Sequence, residues 1–89
     1  MLKKIRQKLL QDKVIVVKPN STNISTYSYN PKTKKMVVIF SRGQIYTYNN
    51  VDINTILNLL SVQENEQSVG RAFKENVVDK FSYQKIWVS

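Results

Sequence analysis

Asn23-Ile-Ser-Thr-Tyr-Ser-Tyr-Asn-Pro-Lys-Thr-Lys-Lys-Met-Val-Val-Ile-Phe-Ser-Arg-Gly-Gln-Ile-Tyr-Thr-Tyr-Asn49 is the stretch whose reading decides the fold. Asn23–Tyr29 is dense in β-branched and aromatic residues, the composition of a strand. Asn30-Pro31-Lys32-Thr33-Lys34 is a turn, because Asn at the first position and Pro at the second suit a type I geometry. Lys35–Ser41 is a second strand, apolar on both faces, which places it centrally in a sheet. Arg42-Gly43 reverses the chain tightly, with Gly43 supplying a positive φ. Gln44–Asn49 is the third strand. Links this short leave an antiparallel meander as the arrangement.

Outward from this centre the pattern becomes helical. Upstream, residues 2–11 form a short basic amphipathic helix, with Leu2, Ile5 and Leu9 at helical spacing and Lys3, Lys4, Arg6 and Lys8 on the other face. A helix that short is marginal alone in water, so it must dock on its own domain, on anionic lipid or on a phosphate backbone. Val14–Val17 is extended and ends at Pro19. Downstream, Asp52 or Asn54 offers an N-cap to a helix carrying Ile53, Ile56, Leu57, Leu59 and Leu60. Ser61–Gln67 reads as a loop or a frayed helix end. Ser68 caps a second short helix with Val69, Phe73 and Val77 on one stripe. Phe81–Val88 is extended and anchored by Phe81, Tyr83 and a buried Trp87. The fold class is α+β, a small three-stranded antiparallel meander with two helices covering one side. Residues 1–18 are a basic N-terminal extension and residues 19–89 the domain, so removal of the extension is expected to leave the domain folded.

Composition narrows the function. The 89 residues contain no Cys and no His, which removes thiolate metal sites, cysteine nucleophiles and the commonest general base. The six carboxylates fall into no acid/base or metal spacing; Glu75 and Asp79, four apart, form a solvated helix face. A non-enzymatic protein without metal or cofactor is expected. The net charge of +8 points to an anionic partner such as nucleic acid or a membrane surface. Residues 1–42 hold ten basic residues against Asp12 alone, so the whole surplus lies in that half, as a solubilising coat or as an anion-binding face. The longest apolar runs, Val14–Val17 and Met36–Phe40, fall far short of the roughly 20 residues of a membrane span. With no leader signal in the opening residues, a cytoplasmic protein is expected.

The strands carry Tyr27/Tyr29 and Tyr46/Tyr48, and alternation projects each pair from a single face. Such rings can stack bases while Lys32, Lys34, Lys35 and Arg42 at the hairpin ends hold phosphates. Equally, the tyrosines can fill the sheet-helix core with only their hydroxyls reaching a partner. Gly70-Arg71 could present backbone amides and a guanidinium to a phosphate, or serve close packing of helix on strand. Asn76 reads as a packing or turn-bonding amide.

Asn23-Ile24 with Tyr29-Asn30-Pro31, the Tyr46-Thr47-Tyr48 centre, Val51, Leu59-Leu60, Ser68-Val69-Gly70-Arg71-Ala72-Phe73, Asn76-Val77 and Phe81-Ser82-Tyr83 together resemble the KTSC domain over roughly residues 21–86. Tyr46 and Tyr48 match that family's central aromatic pair, Gly70, Phe73 and Asn76 its second-helix motif, and Tyr83 its terminal aromatic. Ala72, Lys74, Ser82 and Ile56 depart from its usual residues. The family is named for its place at the C-terminus of some lysyl-tRNA synthetases and also stands alone in bacteria and their phages. The resemblance implies the fold, and it implies RNA binding through association with a tRNA-handling enzyme.

Two functions follow as expectations. The first is a small module for single-stranded RNA, with Tyr27, Tyr29, Tyr46 and Tyr48 as stacking surface and Lys32, Lys34, Lys35, Arg42 and Arg71 as phosphate contacts. The second is a protein-interaction or adaptor domain, phage or bacterial, whose sheet face or N-terminal helix docks on a host protein or on a second copy.

Overall fold

The structure is a computed structural model and describes residues 2–86. Trp87, expected as a buried anchor, lies outside the described residues.

The chain opens with helix α1 (Leu2–Leu10), followed by strands β1 (Ile15–Val17), β2 (Ile24–Asn30), β3 (Lys35–Phe40) and β4 (Ile45–Tyr48). Helices α2 (Ile53–Glu64) and α3 (Val69–Phe73) come next, α3 running into a π-helical segment (Lys74–Val78), and strand β5 (Tyr83–Ile86) closes the order. The strands form one antiparallel sheet in the order β1-β2-β3-β4-β5. The meander of β2, β3 and β4 is as the sequence predicts, and it gains a strand at each edge.

Local chemistry explains the turns. Asn30 Oδ1 accepts from the Lys32 and Thr33 amides at 3.0 and 3.4 Å, and Lys34 closes the turn by donating to the Asn30 carbonyl at 2.8 Å. Gly43 has φ +93°, and its amide donates to Phe40 O at 2.8 Å, so the β3–β4 hairpin needs the conformational freedom of glycine there. A bulge in β2 at Ser25 shifts the register between Ile24 and Thr26. Ser25 and Thr26 both avoid the core, while Ile24, Tyr27 and Tyr29 enter it.

All helices lie against one face of the sheet. Asp52 caps α2, its Oδ1 accepting from the Thr55 amide at 2.9 Å and hydroxyl at 2.6 Å. These two bonds hold the Asp52 carboxyl below its usual range. The helix continues to Glu64, further than the frayed end the sequence suggests. It closes in a Schellman turn, Gln67 N donating to Val62 O and Glu66 N to Gln63 O, with Glu66 at φ +57°. Ser68 caps α3 by accepting from the Arg71 amide at 3.2 Å. Val69, Phe73 and Val77 are all buried, as their spacing predicts. A spacing of four drifts about 40° per step on a regular helix. The wider π turn, where Asn76 Nδ2 donates to Ala72 O at 2.8 Å, brings Val77 back onto the core.

Helix α1 docks on its own domain. Leu9 is fully buried, Leu2 and Ile5 pack against the core, and Arg6 bonds Glu64 Oε1 and Ser61 Oγ of α2, each at 2.9 Å. Ile15 and Val17 of β1 join the same core. Residues 2–17 thus pack along one edge of the fold, as helix α1 and strand β1.

Candidate nucleic-acid interface

The pairing register decides where each tyrosine points. Tyr27 is opposite Val38 and Val38 opposite Tyr46; Tyr29 is opposite Met36 and Met36 opposite Tyr48. All four rings therefore share the face that the helices cover. Tyr27 and Tyr29 are each 1% exposed and Tyr48 is 2% exposed. This corrects the expectation of a four-ring stacking platform: Tyr27, Tyr29 and Tyr48 are core residues with no ring face open to a base. Tyr29 donates its hydroxyl to Val51 O at 2.6 Å, while the Tyr27 hydroxyl is buried with no hydrogen-bond partner. Burial raises the pKa of all three, Tyr27 most; Tyr48 is pushed up to about 12, with its Tyr46 and Tyr83 neighbours adding to the effect.

Tyr46 is different. It is half-buried, and it meets a ring that the sequence-level site left out. Tyr83 on β5 pairs with Tyr48, and its ring lies 5.1 Å from that of Tyr46 and 5.7 Å from that of Tyr48, centroid to centroid. Phe40 closes the other side at 5.3 Å from Tyr46, edge to face, and Phe73 supports Phe40 and Tyr48 from below at 5.9 and 5.5 Å. Phe40, Gln44, Tyr46, Tyr48, Val78 and Tyr83 line an open groove of about 350 Å³. Tyr83 is 54% exposed, so it presents a ring face to solvent. Lys85, paired with Tyr46 across the strands, sets its Nζ 6.0 Å from the Tyr46 ring centroid, a cation–π distance.

Phe40 and Gln44 also line a second depression, of about 580 Å³, with Thr22, Asn23, Ser41 and Arg42. Thr22 and Asn23 in turn border a third, of about 410 Å³, that reaches Arg71. Arg42 and Arg71 thus flank one side of the aromatic groove, Arg71 lying 3.7 Å from Glu75. Lys32, Lys34 and Lys35 do not join them. They stand at the β2–β3 turn, at the opposite end of β3 from Arg42, a strand length of roughly 20 Å away.

Residues 13–49, which hold four of the five strands and their links, carry Lys13, Lys18, Lys32, Lys34, Lys35 and Arg42 and no carboxylate. The acids lie in or beside the helices, so β1 to β4 and their links are wholly cationic, while Lys3, Lys4, Arg6 and Lys8 bring positive charge to the helix layer through α1. Missing from the sequence-level site are Phe40, Gln44, Tyr83 and Lys85. Tyr83 was legible as an aromatic anchor, but its partnership with Tyr46 depends on β5 pairing with β4. Among the described residues no group of acids suits a metal ion, and no helix is long and apolar enough to cross a membrane.

Comparison with known proteins agrees with this architecture. The crystal structure of a KTSC domain protein from Yersinia pestis superposes with a TM-score of 0.69 at 25% identity, over 83% of this chain and 99% of that one. No curated protein sequence matches. The model of the KTSC domain matches residues 20–81, from the loop before β2 to the residues just before β5. A match over more than two thirds of its length makes the chain a member of the KTSC domain family.

Proposed function

We infer that this chain is a non-enzymatic module for single-stranded RNA, and that its site is the aromatic groove at β4 and β5. The observation that carries this reading is the company kept by Tyr46 and Tyr83: an exposed ring face, Lys85 above Tyr46, Arg42 on the adjoining depression, and no carboxylate lining either cavity. Bases stack on aromatic faces without needing a fixed sequence, and cations nearby hold the backbone. Arg71 extends the phosphate path past Thr22 and Asn23. Lys32, Lys34 and Lys35 contact only a strand long enough to cross the sheet.

The test is a titration of fluorescent single-stranded RNA at several salt concentrations. Affinity should fall steeply with salt, with a log–log slope of about −0.7 per phosphate contacted. Tyr83→Ala should weaken binding about tenfold, in keeping with stacking worth about 1–3 kcal/mol. Arg42→Ala should flatten the slope by about 0.7. Salt-insensitive binding, or affinity unchanged in both variants, refutes the reading.

A further inference from the structure

We propose that the uncovered face of the sheet is the docking surface for an amphipathic helix with acidic flanks, supplied by another protein. This face is separate from the aromatic groove, which lies on the helix-covered side. Its outward side chains run in two cross-strand rows. One is Thr26, Ile39, Ile45 and Ile86; the other is Val16, Ser28, Val37, Thr47 and Gln84. An antiparallel sheet with one wet face alternates apolar-in with polar-out. Here β3 breaks that rule, because Val37 and Ile39 face outward as Met36 and Val38 face in. Val16, Ile39 and Ile86 are 60%, 38% and 45% exposed, so β1, β3 and β5 each present an apolar side chain on this face, with Thr26, Ser28, Thr47 and Gln84 between them.

Shape and charge together select the occupant. Five strands twist by about 20–25° per step, so the face is a saddle, which a helix laid along its diagonal fits and a flat bilayer does not. A helix there would complete the three-layer arrangement, helices on both sides of a sheet, for which a strand apolar on both faces is suited. Lys35 is the only charged residue projecting outward from the described strands, and the β1–β2, β2–β3 and β3–β4 links add Lys18, Lys32, Lys34 and Arg42, with Lys34 also near Asp52 at the head of α2. A second copy would bring the same cations to the rim, so self-association is disfavoured. Carboxylates flanking an apolar helix stripe complement the cations at the two ends of the strands.

The experiment maps amide shifts of the isotope-labelled full chain on titration with a synthetic helix of about five turns, Leu on one face and Glu elsewhere, beside a Leu/Lys counterpart. The Leu/Glu peptide should shift Val16, Ser28, Val37, Ile39, Ile45 and Ile86. Val37→Glu and Ile39→Glu, both at outward positions, should each weaken it about tenfold or more while circular dichroism stays native. Tyr83→Ala should leave peptide binding unchanged, which keeps this result independent of RNA binding. Absence of shifts at millimolar peptide, shifts confined to the helix layer, or equal binding of the Leu/Lys peptide overturns the proposal. So does occupation of the face by a second copy or by anionic vesicles in place of the peptide.

Discussion

Tyr27 and Tyr29 sit two residues apart on one face of β2, both sealed from solvent, and only one of them has a use for its hydroxyl. Tyr29 donates to Val51 O, fixing the point where the chain leaves the sheet for α2. Removing that donor strands a buried carbonyl, so Tyr29→Phe should lower stability by about 1–1.5 kcal/mol. The Tyr27 hydroxyl carries its desolvation without a partner. Tyr27→Phe should therefore raise stability by about 1 kcal/mol with the ring packing intact. Opposite signs in urea unfolding midpoints would bear this out; destabilisation by both would show that the Tyr27 hydroxyl is satisfied in solution.

Elements here end on unusual residues. Both α1 and α2 close in Schellman turns whose left-handed position is an acid, Asp12 at φ +60° and Glu66 at φ +57°. Glycine takes that position without a Cβ penalty. Glu66→Gly should raise the melting temperature, by a few degrees for about 0.5–1 kcal/mol in a domain of this size. A fall would mean that the exposed carboxylate contributes more than the backbone strain removes. The cap at Asp52 and the turns at Asn30 and Gly43 were legible in advance, because each is local: Asp52 and Asn30 accept from backbone amides within three residues, and Gly43 takes a positive φ without a Cβ. The π segment was not, since nothing in Lys74–Val78 marks it until Val77 must reach the core.

Across the whole molecule, α1 is held by one side chain above all. Leu9 is fully buried at the junction of α1, β1 and the core, whereas its neighbour Leu10 is 69% exposed. Leu9→Ala should destabilise the domain by about 2–5 kcal/mol and Leu10→Ala by less than about 0.5 kcal/mol, measured by thermal or chemical unfolding. Comparable effects of the two would mean that α1 does not pack as described. The same docking makes truncation at residue 18 expose Tyr27 and Tyr29 along the lost β1 edge, so the remaining chain should not stay natively folded.

The sequence by itself determined the meander, its turns, the caps, the class α+β and a cationic half, because turn and cap chemistry and strand composition are local. Tertiary structure alone decided that β1 and β5 extend the sheet, since strands of three and four residues have too little pattern to announce a distant partner. It also decided which side the helices cover. That choice turned three of four predicted stacking tyrosines into core and brought Tyr83 and Lys85 to Tyr46. Alternation along a strand says which residues share a face, but only the packing of one layer on another says which face water leaves.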